Sequence, residues 1–328
     1  MTKTVSVVAS AFNEEDNLPE LFRRLVAVQT LLEQEGMRLE IVLVDDHSTD
    51  RTPEIGRKWA KEHPGFKYAR LSRNSGGHIA DRVGLRLCTG DCAVVIAADL
   101  QDPPELVAEL VERWRDGNQV VWAVRSEREG EQQATKLFAS LYYWLMRRLA
   151  LPEMPEKGAD FLLIDRKVID ACNETTEKNT SYLALILWMG FRQTSIEYVK
   201  QARHAGRSKW TWTKKVKLLV DSVVSFSYVP IRLMSVLGIS VSSLGFLYAA
   251  TVILNAFNGH PVEGWSSLMV VVLLLAGFQL LTLGVLGEYL WRSFDETRGR
   301  PLYFMEEYVT ADSATALTGA SPERLELL

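Results

Sequence analysis

Over the first 125 residues, short apolar runs alternate with stretches of helical periodicity. The runs are rich in Val, Ile and Leu and end in polar residues, which predicts strands and helices in alternation. This pattern is typical of βαβ units around a mostly parallel sheet, so the predicted fold class is α/β. The predicted strands are Val5–Ala9, Ile41–Val44, Phe66–Leu71, Val94–Ala98 and Val120–Val124, with helices at about 16–36, up to about Cys88, and up to about Asp116.

Two later regions have a different pattern. Leu233–Phe257 and Ser266–Gly287 contain no Asp, Glu, Lys or Arg. Each is long enough to cross a hydrocarbon core of about 30 Å as a helix, which predicts a transmembrane hairpin. The alternative is two buried helices of a large soluble core, but only about forty residues follow the second region. Small residues in both helices offer packing surfaces for a possible homo-oligomer.

Charge around the hairpin predicts its orientation. The connection 258–265 has no Lys or Arg, whereas Arg232, Arg292, Arg298 and Arg300 flank the outer ends. By the positive-inside rule the tip is outside and both termini are cytoplasmic. No charged segment followed by an apolar stretch opens the chain, so no cleavable signal peptide is expected. We predict an integral membrane protein with two transmembrane helices.

Two amphipathic segments combine aromatic, basic and apolar residues at 136–149 and 210–226. This combination suits a helix in the lipid headgroup region, although the first segment also fits a surface helix packed on the sheet. The predicted boundaries are 1–209 for a cytosolic domain, 210–231 for a juxtamembrane helix, 232–291 for the hairpin and 292–328 for a cytosolic tail with a disordered end.

The strand that ends at Ala98 is followed by candidate metal ligands. Ligands of open α/β sheets bind at the carboxyl ends of the strands, which is where Asp99 and Gln101 lie. Their oxygen atoms suit a hard cation such as Mg2+, with a diphosphate completing the coordination. Asp102 is followed by two prolines and Glu105, a pattern that favours a helix N-cap over a ligand.

Two further groups of polar residues are candidates for binding. Asp45 and Asp46 end the second strand and either contact a base or ribose or cap the loop that leads through Ser48 to the next helix. The second group is cationic and, near a membrane segment, is positioned for an anionic lipid headgroup. Its members are Arg125, Arg128, Lys136, Arg203, Arg207 and Lys209.

Other residue types add little. Cys88, Cys92 and Cys172 show no metal-binding spacing, and a cytoplasmic domain keeps them reduced. The net charge of −4 averages over a chain whose basic residues cluster near the apolar part, and no nucleic-acid partner is expected. His78 follows the Gly76–Gly77 turn, where it either approaches a diphosphate or serves only the loop.

Six motifs occur in order, and together with the hairpin they resemble the family-2 glycosyltransferases that glycosylate a polyprenyl phosphate. They are residues 10–15 (SAFNEE), 44–52 (VDDHSTDRT), 73–78 (RNSGGH), 98–105 (ADLQDPPE), 158–161 (GADF) and 205–210 (AGRSKW). The likeness covers roughly residues 4 to 300. Their order makes the match specific.

The resemblance implies a GT-A, Rossmann-like fold and a single displacement with inversion from a UDP- or GDP-linked sugar to a polyprenyl phosphate. It implies Asp99, Asp160 and Arg125 as catalytic residues, with Mg2+ or Mn2+ at Asp99 and Gln101 and with Asp160 as a base or as an orienting group. It also implies a location in a bacterial inner membrane. The implied donor-binding residues are Ala11, Asn13, Glu14, Asp45, Asp46, Ser48, Gly76, His78 and Asp99. The implied acceptor phosphate-binding residues are Arg125, Lys136, Ser140, Arg203, Ser208 and Lys209.

One position departs from the family pattern. Where the family has Asp-x-Asp, this chain has Ala97, which leaves Asp99, Gln101 and the diphosphate as the main coordination. Two other functions remain as alternatives. A processive polysaccharide synthase carries a Gln-x-x-Arg-Trp motif and more membrane helices, and neither is present in this sequence. A non-catalytic nucleotide-sugar sensor or membrane scaffold is compatible with the missing acid.

Overall fold

The structure is a computed structural model that describes residues 2–126, 140, 143–148, 151–152, 154–155, 161–175, 177–178, 180–201, 221–258 and 264–311. It divides into two compact units. The first comprises Met1–Leu219 and Pro301–Leu328, and the second comprises Val220–Arg300.

The first unit is built on a central sheet. Its strands are β1 (Thr4–Ala11), β2 (Arg38–Asp45), β3 (Phe66–Leu71), β4 (Cys92–Ala97), β5 (Val120–Arg125), β6 (Phe161–Asp165), β7 (Gln193–Tyr198) and β8 (Met305–Thr310). Its helices are α1 (Leu18–Gln34), α2 (Thr52–Glu62), α3 (Gly77–Leu87), α4 (Leu106–Arg115), α5 (Arg166–Glu174) and α6 (Tyr182–Trp188).

The order of the strands is β7-β5-β6-β4-β1-β2-β3-β8. The strands β1 to β4 are mutually parallel, and β6 is antiparallel to both β4 and β5. Because β7 is parallel to β5, only β6 and β8 of these eight strands run against the others. The carboxyl ends of β1 to β5 and β7 therefore meet at one edge of the sheet, which we call the carboxyl edge.

The central strands are buried on both faces. This explains why they are nearly continuous apolar runs, the signal that predicted them. The α/β class is confirmed, and β3 has the predicted bounds. Close packing of α3 on β1 requires Gly84, because a Cβ there would lie 2.1 Å from Cγ1 of Val8.

The second unit contains a helical stretch at 221–226, α7 (Val229–Phe257) and α8 (Trp265–Thr297). By length and composition, Val229–Asn255 and Leu268–Thr297 are each able to cross a membrane, and none of the most apolar window of either is buried. A core helix of a soluble protein is mostly buried, so this exposure argues against the soluble-core alternative. Arg292 of α8 binds Asp221 at 2.6 Å.

Two predicted regions are only partly described. Residues 143–148 of the first amphipathic segment are helical, with Trp144 exposed and Met146 buried. The second segment is described only from Asp221 onward, and the predicted disorder after residue 311 lies outside the described residues. The strand β8 (Met305–Thr310) lies in the region predicted as a tail, and it was missed because its sequence, MEEYVT, has no continuous apolar run.

Candidate active site

Three of the predicted motifs meet at the carboxyl edge. The register of the parallel strands places Ala11 of β1 opposite Asp45 of β2, and Ser10 of β1 opposite Ala97 of β4. Residues that are far apart in sequence are thus adjacent at one edge. Ligands of open α/β sheets bind at this edge, so the predicted donor and metal residues lie where the fold favours a site.

The loops at this edge contain three non-glycine residues in the left-handed region. They are Asn13 (φ 54°), His47 (φ 64°) and Leu100 (φ 59°), which follow β1, β2 and β4 respectively. This conformation is uncommon for residues other than glycine, more so for Leu than for Asn or His, and such residues cluster at active sites and ligand clamps. The sequence analysis missed this feature, because a left-handed residue that is not Gly leaves no local signal.

The loops after β1 and β2 are joined by hydrogen bonds. The Asn13 amide donates to Ser48 Oγ at 2.9 Å, and the Thr49 amide donates to Asn13 Oδ1 at 2.8 Å. The Glu14 amide donates to Thr52 Oγ1 at 2.9 Å. The predicted donor-binding residues Asn13, Glu14 and Ser48 therefore belong to one hydrogen-bonded assembly.

Asp45 is fully buried at the end of β2. Its Oδ1 accepts from the Ser48 amide at 2.8 Å, and its Oδ2 accepts from the Tyr68 hydroxyl at 2.9 Å. Arg70 Nη1 lies 3.6 Å from the same Oδ2. Burial and the adjacent Asp45 carboxylate raise the pKa of Tyr68, which keeps the phenol protonated as a donor. Of the two interpretations of Asp45, the loop-capping one matches these contacts, and contact with a nucleotide stays a prediction.

Asp46 forms hydrogen bonds to the loop between β3 and α3. Its two carboxylate oxygens accept from the backbone amides of Ser75 (2.6 Å) and Gly76 (2.8 Å). Burial raises the pKa of Asp46, and these two hydrogen bonds oppose that rise. The motif at 73–78 is thereby held at the same edge. His78, on α3, lies edge-on to Tyr182, with 5.6 Å between the ring centroids.

Asp99 and Gln101 form the candidate metal site. Asp99 is 8% exposed, and its Oδ1 accepts from the Gln101 amide at 3.1 Å. Ala97, at the position of the missing acid, is exposed. Within the described residues, no group of three or more His, Cys, Asp or Glu side chains is arranged to hold a metal. One carboxylate and one amide, both with hard oxygen atoms, fit a Mg2+ ion whose other ligands come from water and substrate phosphates.

The prediction that Asp102 caps the following helix is wrong. α4 begins at Leu106, and the residue before it, Glu105, makes no side-chain capping hydrogen bond. Proline disfavours the helical conformation in the residue before it. The consecutive prolines Pro103 and Pro104 therefore delay the helix, and the Asp102 side chain is used elsewhere.

Asp102 instead contacts the end of β7. Its buried Oδ1 accepts a hydrogen bond from the Tyr198 hydroxyl and lies 3.8 Å from Lys200 Nζ. Arg125 is opposite Tyr198 in the register of β5 and β7. Burial and Asp102 raise the pKa of Tyr198, while Arg125 opposes the rise. Tyr198 and Lys200 were missed because β7 was not predicted.

The remaining predicted residues belong to the acceptor side. Arg125 is half-buried at the end of β5, and Ser140 is an exposed helical residue. The others lie outside the described residues, namely Asp160, Lys136, Arg203, Ser208 and Lys209, together with Arg128 and Arg207.

The described part of the chain combines a mixed α/β sheet with two long apolar helices that lie between β7 and β8 in the sequence. The chain belongs to glycosyl transferase family 2, since residues 6–172 match the model of that family. The resemblance found from the six motifs is thus confirmed.

Three curated relatives match over nearly their whole length. An uncharacterized glycosyltransferase, YkcC, of Bacillus subtilis is 41% identical over 92% of this chain and 93% of its own. The bactoprenol glucosyl transferase of Shigella phage SfX is 34% identical over 92% of this chain and 98% of its own. The undecaprenyl-phosphate 4-deoxy-4-formamido-L-arabinose transferase of Edwardsiella ictaluri is 35% identical over 94% of this chain and 95% of its own.

Proposed function

We propose that the protein transfers one sugar from a UDP- or GDP-linked donor to a polyprenyl phosphate at the cytoplasmic face of the membrane, with inversion. The observation that carries this proposal is the extent of the match to relatives named for bactoprenol and undecaprenyl phosphate. An alignment over 303 of the 328 residues necessarily includes most of the hairpin as well as the sheet unit. The likeness therefore extends to the part of the chain suited to a lipid acceptor.

The chemistry places modest demands on the protein. A phosphate monoester has a second pKa near 6, so the acceptor is largely a dianion at cytosolic pH. A strong general base is then unnecessary. The protein has to align the phosphate oxygen with the anomeric carbon, exclude water and stabilise the departing nucleotide diphosphate. Asp160 is proposed to orient groups around the acceptor.

On the donor side, the interlocked loops after β1 and β2 are proposed to bind the nucleotide, with Gly76 and His78 near the diphosphate. Asp99 and Gln101 would hold Mg2+ or Mn2+, which supplies positive charge to the leaving diphosphate. The hydrogen bonds of Asn13, Asp45 and Asp46 support this proposal, because they hold the backbone of these loops in place at the carboxyl edge.

On the acceptor side, Arg125 is proposed to bind the lipid phosphate, together with Lys136, Ser140, Arg203, Ser208 and Lys209. Arginine suits this role because its planar guanidinium donates two parallel hydrogen bonds to phosphate oxygens. The position of Arg125 at the carboxyl edge supports its assignment, since the metal candidates Asp99 and Gln101 lie at the same edge.

The connectivity of β8 supports the proposed topology. The chain leaves the sheet unit, passes through α7 and α8, and returns to the same sheet as β8, next to β3. If both helices cross the membrane, their outer ends must therefore be on the side of the sheet unit. The positively charged outer ends favour the cytoplasm.

Cysteine labelling tests this topology. The native Cys88, Cys92 and Cys172 are buried, so they give little background. We expect a membrane-impermeant maleimide to label a His260→Cys variant in intact cells, because residue 260 lies in the hairpin connection. A Lys61→Cys variant, at an exposed position of α2, is expected to react only after permeabilisation. Labelling in the reverse order would overturn the topology.

A radiolabelled donor separates the proposed function from its alternatives. Purified protein with a short polyprenyl phosphate is expected to move the label into an organic-extractable lipid. A processive synthase would give labelled polymer instead. A scaffold or sensor would bind the donor and give no product.

A further inference from the structure

An arginine links the strand that follows the hairpin to the donor side of the site. Glu306 on β8 accepts from Arg70 Nε on β3 at 2.9 Å. The Arg70 side chain is only 15% exposed, whereas that of Glu306 is half exposed. The two residues are 236 positions apart in the sequence, on either side of the hairpin.

The other nitrogens of Arg70 reach the loop after β2. Nη2 donates to the Ser48 carbonyl at 3.1 Å, and Nη1 lies 3.6 Å from Asp45 Oδ2. We call the loop from Asp45 to Ser48 the donor loop. The planar guanidinium of Arg70 contacts β8 with one edge and the donor loop with the other, a geometry that lysine does not reproduce. Asp45 and Ser48 are both proposed donor-binding residues.

The Glu306 carboxylate also lies near His47, the residue of this loop that has a left-handed backbone. His47, with its left-handed backbone, has Nδ1 at 3.1 Å from the Leu71 carbonyl and 3.6 Å from Glu306 Oε2. A left-handed conformation of a non-glycine residue persists only where surrounding contacts hold it. Glu306 and Arg70 therefore approach the donor loop at three residues, namely Asp45, His47 and Ser48.

We propose that Arg70 is a positioning residue for the nucleotide-sugar donor and that Glu306 orients it. According to this proposal, β8 contributes Glu306 to the donor site, and the segment after the hairpin therefore contributes to the affinity for the donor. The inference rests on the proposed function, in which the loop from Asp45 to Ser48 binds the nucleotide.

A neighbouring ion pair provides a matched control. Glu307, the next residue of β8, binds Arg57 of α2 at 2.8 Å. This ion pair also connects β8 to the rest of the unit, but it joins the strand to α2 and not to the donor loop. Both ion pairs support the strand β8, but only Arg70–Glu306 also contacts the donor loop. Conservative substitutions in each pair therefore distinguish a structural role of β8 from a role in positioning the donor.

The test compares Arg70→Lys and Glu306→Gln with Arg57→Lys and Glu307→Gln in the full-length protein in detergent. We expect Arg70→Lys and Glu306→Gln to raise the KM for the nucleotide sugar about 5- to 10-fold, the size of effect of one lost hydrogen bond of ordinary strength. The kcat and the KM for polyprenyl phosphate are expected to stay within about twofold. Calorimetric titration of the nucleoside diphosphate alone should show the same loss.

The controls make the inference refutable. Arg57→Lys and Glu307→Gln are expected to leave the donor KM unchanged. If the variants of both ion pairs raise the donor KM equally, β8 is only structural support and the assignment of Arg70 is wrong. The assignment is also wrong if the wild-type protein forms lipid-linked sugar and Arg70→Lys and Glu306→Gln keep the wild-type donor KM. Failure of the proposed function is distinct, since wild-type protein would then form no lipid-linked sugar.

Discussion

Asp99→Asn is expected to lower kcat at saturating donor at least about 100-fold, a loss typical of removing one charged group that stabilises the transition state. With Ala97 in place of the other acid, Asp99 is the one carboxylate in the proposed ligand set. Asparagine keeps the size of the side chain and an oxygen to accept from the Gln101 amide. The variant should therefore fold but hold the metal poorly.

Asp91→Asn is the matched control. Asp91 lies at the opposite end of β4 and accepts from the Thr4 amide at 2.7 Å, away from the carboxyl edge. Its variant should keep wild-type turnover. Rates of sugar transfer measured across a titration of Mg2+ and Mn2+ distinguish the two variants. Near-normal turnover of purified Asp99→Asn would contradict the metal assignment.

The second large effect is on stability. Lys67→Met is expected to cost about 3 kcal/mol, because it leaves the buried Glu40 carboxylate without its counter-charge. Lys67 Nζ lies 2.7 Å from Glu40, which is 6% exposed and also accepts from the Thr89 amide and hydroxyl. For a unit of this size the Tm should fall by about 6–12 °C. The measurement is thermal unfolding of wild-type and variant protein in the same detergent.

The effect of Lys67→Met should depend on pH. Burial alone raises the pKa of Glu40, but hydrogen bonds from Lys67, Ser6 and Thr89 outweigh it and lower the pKa below its ordinary value of 4.5. Glu40 thus stabilises the fold fully above pH 4.5 and loses that contribution as the pH falls through its folded pKa. Since protonated Glu40 needs no counter-charge, the Tm difference between wild type and Lys67→Met should narrow in acid.

A double variant tests the cause of this effect. Glu40→Gln combined with Lys67→Met removes the buried charge together with its partner, and it should recover most of the lost Tm. A Tm difference that stays constant as the pH falls from about 7 to about 3 would show that the charge of Glu40 is not responsible.

The sequence predicted the parallel half of the sheet well, for a physical reason. Strands buried on both faces carry uninterrupted apolar runs, and parallel pairing then brings their carboxyl ends together. The adjacency of Ala11, Asp45 and Ala97 follows from that pairing. The family resemblance to glycosyltransferases, which the comparisons confirm, added the expected roles of these residues.

Contacts between distant segments were not predictable in the same way. Asp102 has the local pattern of a helix cap, and nothing near it in the sequence indicates that Tyr198 lies beside it. The pairing of β8 with β3 joins segments separated by the hairpin, and a short half-buried strand does not reveal its neighbour. The roles of Arg70 and Glu306 emerge only from that pairing.

The mass of the lipid product tests the central claim most directly. Full-length protein is incubated with a panel of UDP- and GDP-sugars, Mg2+ or Mn2+, and a short polyprenyl phosphate. With one of the donors, the account predicts a product heavier than the acceptor by a single sugar residue. Lipid that remains unmodified with every donor, or that carries a polymer, would contradict it.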